Sequence, residues 1–242
     1  MNLLKKALIA IQTKIYWKTY SFFIDKTFEP KISYSQNGED IIVRGIFEMM
    51  SKKKIFYIEA GGYHPYNGSN TALFYQTGSN GIIIEPNPDL FRAFPLKRPR
   101  DISLNIGIST RSGNELFYRS ASGALSKFKP DDEAGSKESG KLPGLPLTVP
   151  VMTLPDIIKN YAEGKTIDFL SLDIEGMELA VLQTLDYRKD APVVMCVETL
   201  RDAGGFRKEK STDIIHYLTG NGYLVYADTN INTIFVRRDA MQ

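Results

Sequence analysis

From residue 55 onward the chain repeats one pattern: a short apolar run, closed by an acid or a glycine, followed by apolar residues at helical spacing. Ile55 to Ile58 ends in Glu59 and is followed by Gly61 and Gly62. Ser69 and Asn70 stand where a helix cap belongs, ahead of Thr71, Leu73, Phe74 and Tyr75. A second run, Ile82 to Ile84, ends in Glu85, and Pro86-Asn87-Pro88 turns the chain into a short helix around Leu90 to Phe94. Ile102 to Ile108 reads as a third strand, with a turn at Gly113 and a further strand over Glu115 to Tyr118. Ile167 to Leu172 is the fourth; Asp173-Ile174-Glu175-Gly176 closes it, and Met177, Ala180, Val181 and Leu185 then repeat as on one helix face. Val193 to Val197, ending in Glu198, is the fifth. A helix over about 211–220 stops at Gly220-Asn221-Gly222, and the runs Tyr223 to Tyr226 and Thr233 to Arg237 flank Asp228-Thr229-Asn230 as a hairpin would. Alternating strands and helices predict an α/β fold, Rossmann-like, with a mostly parallel seven-stranded sheet and a C-terminal antiparallel hairpin.

Two segments break the pattern. Residues 1–24 contain Lys5, Lys6, Lys14 and Lys18 and no acid, interleaved with Leu4, Leu8, Ile11, Ile15 and Trp17. This predicts a basic amphipathic helical segment over 1–33, ahead of a catalytic domain over 34–242. Such a helix packs on the domain or on a second copy in a homodimer, or else it lies on an anionic membrane surface. Its lysines interrupt the apolar core that a signal peptide needs. Residues 119–150 are rich in Ser, Gly, Lys and Pro, which reads as a mobile loop, either a surface insertion or a lid over the site.

Composition narrows the classes. A chain of 242 residues, 43% hydrophobic and 24% charged, suits one α/β domain. Thirty basic residues against 28 acidic ones argue against a nucleic-acid partner, which usually requires a basic surplus on one face. The single cysteine, Cys196, lies in an apolar run and reads as a reduced core residue of a cytoplasmic protein. No stretch is apolar enough and long enough for an ordinary transmembrane helix.

Strand, glycine turn, helix, strand and terminal acid form a nucleoside-binding unit. The second acid, Glu85, is placed to accept both hydroxyls of a ribose, while Glu59, Gly61 and Gly62 meet the rest of the ligand. Neither G-x-G-x-x-G nor G-x-x-x-x-G-K-[ST] occurs, so a pyrophosphate cradle is disfavoured. A nucleoside without phosphates, S-adenosyl-L-methionine above all, fits better. Asn105, after the third strand, is positioned for the adenine, and Ser35, Gln36 and Asp40 for closing over the cofactor.

Five blocks then carry a resemblance: Tyr34-Ser35-Gln36-Asn37-Gly38-Glu39-Asp40, Ser69-Asn70-Thr71, Ile84-Glu85-Pro86-Asn87, Val151-Met152-Thr153-Leu154, and Asp168 through Glu178. In this order and spacing, from about residue 34 to 200, they resemble the FkbM family of S-adenosylmethionine-dependent methyltransferases. The resemblance implies a class I methyltransferase fold and O-methylation, often of sugars in glycans or glycosylated metabolites. The chain departs at the first glycine turn, where Gly62-Tyr63 replaces the Ala-Asn of many members.

Asp173, Glu175 and Glu198 form a second constellation. In the methyltransferase strand order the fourth strand lies between the first and fifth, so His64 and Glu198 flank Asp173 across strand ends roughly 5 Å apart. Asp173 and His64 are the two candidates for a general base that takes the acceptor's hydroxyl proton; Glu175 and Glu198 are candidates for holding the acceptor. A divalent cation on these acids is an allowed but disfavoured addition. The readings from other classes are a non-catalytic glycan- or partner-binding protein and an NAD-dependent oxidoreductase.

Overall fold

Strand residues at the centre of the main sheet, such as Phe56–Ala60 and Phe169–Leu172, are buried on both faces, as strands covered by helices on either side require. The computed structural model describes residues 11–19, 31–119, 128, 146–202 and 208–241. The chain divides into two units, Met1–Ile32 and Ser33–Gln242. In the first, residues 11–19 form helix α1, on which Ile11, Ile15, Tyr16 and Trp17 are exposed. Among the described residues no helix is long and apolar enough to cross a membrane.

The second unit opens with helix α2 (Glu39–Met49), which buries Val43, Ile46 and Phe47 at the i, i+3, i+4 spacing of an amphipathic helix. Its main sheet contains β1 (Phe56–Ala60), β2 (Asn80–Ile84), β3 (Ile102–Leu104), β7 (Phe169–Leu172), β8 (Val194–Glu198), β11 (Tyr223–Asp228) and β12 (Asn232–Arg237). The order is β11-β12-β8-β7-β1-β2-β3. The pairs among β3, β2, β1, β7 and β8 are parallel, while β12 runs antiparallel to both β8 and β11. The expected parallel sheet with a terminal hairpin is therefore present, with the fourth expected strand, β7, between β1 and β8.

Alternation along the strands sorts the core into two layers. Phe56, Ile58 and Ala60 of β1 face a cluster with Leu154, Ile157, Val181, Leu182, Ile214 and Leu218, contributed by helices α6 (Leu154–Tyr161), α7 (Glu178–Leu182) and α8 (Thr212–Gly220). Tyr57 faces the other layer, which holds Val43, Ile46, Phe74 and Phe94 from α2, α3 (Ala72–Gln76) and α5 (Ala93–Lys97). A four-residue helix, α4 (Pro88–Phe91), is capped by the Asn87 side chain, which accepts the Asp89 N–H.

The expected third strand is split. Only Ile102–Leu104 joins the main sheet; β4 (Gly107–Ile108) belongs to a separate sheet of order β4-β6-β5, with β5 (Gly113–Phe117) and β6 (Leu147–Met152). Residues 147–150 are thus strand, whereas 120–127 and 129–145 of the expected loop lie outside the described residues. A small hairpin of β9 (Leu200–Asp202) and β10 (Lys208–Lys210) leads into α8. The expected strand over Glu115 to Tyr118 is thus β5 of this small sheet, while β4, β9 and β10 were not expected, because two- and three-residue strands carry no measurable period.

Candidate active site

Parallel strands deliver their C-terminal ends to one edge of the sheet, and in doubly wound folds ligands bind there. A cavity of about 580 Å³ lies at that edge, lined by Gly61 after β1, Glu85 after β2, Asp173 after β7 and Glu198 ending β8. Ser35 and Gln36, ahead of α2, line it as well, as does Glu175. Seven of the residues singled out in the sequence are therefore brought together.

Gly61 is a glycine for a stated reason. Its φ is +85°, and a Cβ there would lie 1.8 Å from the Asp173 carbonyl oxygen, so the strand ends of β1 and β7 meet only if that position has no side chain. Gly62 is packed rather than lining: a Cβ would press on Phe94 and Ile83 at 2.9 and 3.0 Å. Tyr63 follows with φ 40°, a left-handed conformation that residues with a bulky side chain seldom adopt.

Glu85 is 4% exposed, and backbone donors fix both its oxygens: Tyr63 N–H at 2.9 Å and Asn87 N–H at 2.7 Å. Burial dominates its titration and pushes the carboxyl up to about 7, with those two N–H bonds working the other way. Asn105 does not line the cavity. Its amide donates to the Glu85 and Pro86 carbonyls at 2.8 and 3.2 Å, so it fixes the turn that carries Glu85.

Asp173 and Glu198 are hydrogen-bonded to each other across adjacent strand ends. Burial pushes Asp173 up to about 6, helped by the negative charges of Glu178, Glu59 and Glu39 and opposed by the bond from Glu198. Burial also pushes Glu198 up to about 9, with Asp173, Glu175 and Glu178 adding repulsion. At neutral pH the two carboxyls share a proton in the bond between them, since both ionised side by side in a buried site would repel.

The loop after β7 is held by Glu178. Its carboxylate accepts the Ile174 N–H at 3.0 Å and the Gly176 N–H at 3.1 Å, while Glu175 between them takes φ 58°. That Glu178 ties the loop could not be read from spacing, since its partners are backbone groups.

Besides Gly62 and Asn105, three more expected site residues lie outside the cavity lining. Glu59 is 3% exposed and faces the α3 layer, where it accepts from Ser69 Oγ, Asn70 N–H and Thr71 Oγ1 and pairs with Arg98 Nη1 at 3.3 Å. Strand alternation explains this: Glu59 is one residue before the end of β1 and points away from the cavity. Asp40 is fully buried in the first turn of α2, accepting from Ser33 Oγ, Tyr34 N–H and Ser35 Oγ; it fastens the segment that carries Ser35 and Gln36 without lining the cavity itself. His64 is exposed, and its Nδ1 accepts the backbone N–H groups of Tyr66 and Asn67 at 3.1 and 2.9 Å. It is a turn residue, outside the cavity lining.

Sequence reasoning missed two buried groups. Glu39 accepts from Asn37 N–H, Thr229 Oγ1 and Asn232 Nδ2, fastening the Ser35 segment to the β11–β12 turn, whose Ile231 also lines the cavity. Arg98 is 0% exposed and pairs with Glu59 and, at 2.7 Å, with Asp101. Nothing short of the three-dimensional path of residues 97–101 reveals that contact. Among the described residues no group of three or more His, Cys, Asp or Glu has the arrangement of a metal site.

The strand order, the glycine at the end of β1 and the buried acid at the end of β2 define a class I methyltransferase fold. The family follows from a family model: the methyltransferase FkbM domain matches residues 59–225, so the chain belongs to the FkbM family of S-adenosylmethionine-dependent methyltransferases. No curated protein matches the chain. Among solved structures it is similar to a TehB-like SAM-dependent methyltransferase from Corynebacterium glutamicum, at 11% identity over 94% of this chain and 99% of that one, with a TM-score of 0.40. It is also similar to the 1,6-didemethyltoxoflavin-N1-methyltransferase of Burkholderia thailandensis, whose structure holds S-adenosylhomocysteine, at 9% identity over 98% and 89%, with a TM-score of 0.39. The fold is read from the strand order, not from these distant likenesses.

Proposed function

We propose that this chain is an S-adenosylmethionine-dependent O-methyltransferase acting on a sugar hydroxyl, with Asp173 as the base. The observation that carries the reading is the Asp173–Glu198 pair, one proton short of saturation, in the same cavity as Glu85.

The residues present fit the cofactor. Glu85 offers two oriented oxygens at the end of β2, suited to a ribose diol, and the side-chain-free Gly61 lets a ligand approach the backbone. When bound, the cofactor supplies an electrophilic methyl carbon on a sulfonium. Ser35 and Gln36 line the same space and offer it a hydroxyl and an amide. Asp173 accepts the acceptor's hydroxyl proton as its oxygen attacks, and the Glu198 O–H bond steadies the second Asp173 oxygen. A base with a value near 6 is matched to work at neutral pH, and a positioned base adds ~10²–10⁴-fold. Holding the hydroxyl in line with the methyl carbon supplies much of the rest.

The test is methyl transfer from labelled S-adenosylmethionine to a panel of glycosides. Transfer to a hydroxyl, falling with an apparent value near 6 on the acid side, supports the reading. Transfer confined to amines, or a flat acid limb, contradicts it.

A further inference from the structure

Helix α1 is exposed at every described position, from Ile11 to Thr19. Helical spacing puts Lys14 one turn after Ile11 and Lys18 one turn after Ile15, so each lysine neighbours an isoleucine on one face. Trp17, one turn after Lys14, borders that face. Ile11, Ile15 and Trp17 are 58%, 61% and 60% exposed, a large apolar surface for so short a helix. Gln12, Thr13, Tyr16 and Thr19 take the other side, and the Thr19 hydroxyl donates to the Ile15 carbonyl at 2.8 Å, satisfied within its own helix. Charge is segregated along the chain as well. The net charge of the whole is +2, yet residues 1–24 hold four lysines, Lys5, Lys6, Lys14 and Lys18, and no Asp or Glu.

We infer that this helix is a surface anchor whose partner is an anionic phospholipid bilayer. The face makes two demands at once: its isoleucines and Trp17 gain by leaving water, and its lysines gain by meeting negative charge. A second copy of the helix answers only the first, because Lys14 and Lys18 would then meet the same lysines of the other helix, with no acid in residues 1–24 to relieve them. An anionic bilayer answers both. The lysine stems follow the isoleucines toward the acyl boundary while their ammonium groups stay level with the headgroups, and an indole favours the same depth. The helix lies in the surface and does not span it, since among the described residues no helix is long and apolar enough to cross a membrane.

Trp17 is the only tryptophan in the chain, so its fluorescence reports on this helix alone. The experiment titrates the full chain with vesicles of phosphatidylcholine containing roughly one-third phosphatidylserine, and with phosphatidylcholine alone. The expected result is a blue shift of Trp17 emission with the anionic vesicles, co-sedimentation of the protein with them, and reversal of both by high salt. Lys14→Gln and Lys18→Gln should each weaken partitioning about fivefold, the worth of one basic side chain near an anionic surface. Ile11→Ser/Ile15→Ser should abolish the blue shift. All four positions are exposed, so the melting point of each variant should stay that of the wild type. No shift with anionic vesicles would overturn the inference, as would an equal shift with neutral ones. A shift without vesicles that grows with protein concentration would overturn it in favour of a second copy.

Discussion

Two acid clusters, built on neighbouring strands and less than a domain's width apart, have opposite fates. On the α3 face of β1, Glu59 is joined by Arg98, Asp101, Tyr57 and the Ser69–Thr71 turn, and every charge there is answered. At the ends of β7 and β8, the charged groups that act on Asp173 and Glu198 among the described residues are each other and further acids. The first arrangement holds the fold together. The second is electrostatically costly, and cost concentrated in a cavity is the signature of a group kept for chemistry. What separates the two is a single arginine.

The largest effect should come from removing it. Arg98→Met strands two carboxylates in the interior, and breaking a buried pair in this way costs ~3–5 kcal/mol. For a domain of this size that corresponds to a melting point lower by roughly 10 °C, read by calorimetry. An unchanged melting point would mean that Glu59 and Asp101 find water, and the contrast between the clusters would fail.

Asp173→Asn should act the other way round: turnover falls by ~10²–10⁴-fold, while stability and S-adenosylhomocysteine affinity are kept. Normal turnover would make this acid structural, like Glu59. Glu85→Ala should weaken S-adenosylhomocysteine binding by roughly 10–100-fold with the fold retained, the worth of hydrogen bonds to a charged group. An unchanged dissociation constant would remove Glu85 from the cofactor site.

The buried acids of the cavity also set a pH dependence. Asp173, Glu85 and Glu198 hold their protons more tightly when folded, at about 6, 7 and 9, than when unfolded. Their contribution to stability is therefore full below their unfolded values near 4 and is lost as the pH rises through those folded values. Stability should decline from pH 6 to pH 9, and Glu198→Gln, which cannot ionise, should flatten that decline. A variant with the wild-type slope would show that Glu198 ionises freely. The smallest effect is expected at His64: His64→Asn keeps a side-chain acceptor for the turn, and turnover should stay within about threefold.

The sheet was legible because buried parallel strands and amphipathic helices write strong periods, and each expected strand of the main sheet is found within a few residues. The cavity lining was legible where an acid directly follows a strand, as Glu85 and Asp173 do, or ends one, as Glu198 does. It was misread at Glu59, one residue earlier in its strand, where alternation reverses the direction of the side chain. It was misread at His64 because an imidazole beside a strand end also serves as a turn acceptor, and the two uses have the same spacing. Glu39, Arg98 and the loop-tying role of Glu178 were invisible because their partners are backbone groups or side chains far apart in sequence. For the segments 1–10, 20–30, 120–127 and 129–145, the expectations of an amphipathic helix and a lid lie partly or wholly outside the described residues.

The most direct test of the account is calorimetric titration of the purified protein with S-adenosylhomocysteine, with NADH as the control. The account predicts micromolar binding of S-adenosylhomocysteine, weakened by Glu85→Ala and untouched by Asp173→Asn, and no heat from NADH. Binding of NADH, or no binding of S-adenosylhomocysteine, would contradict it.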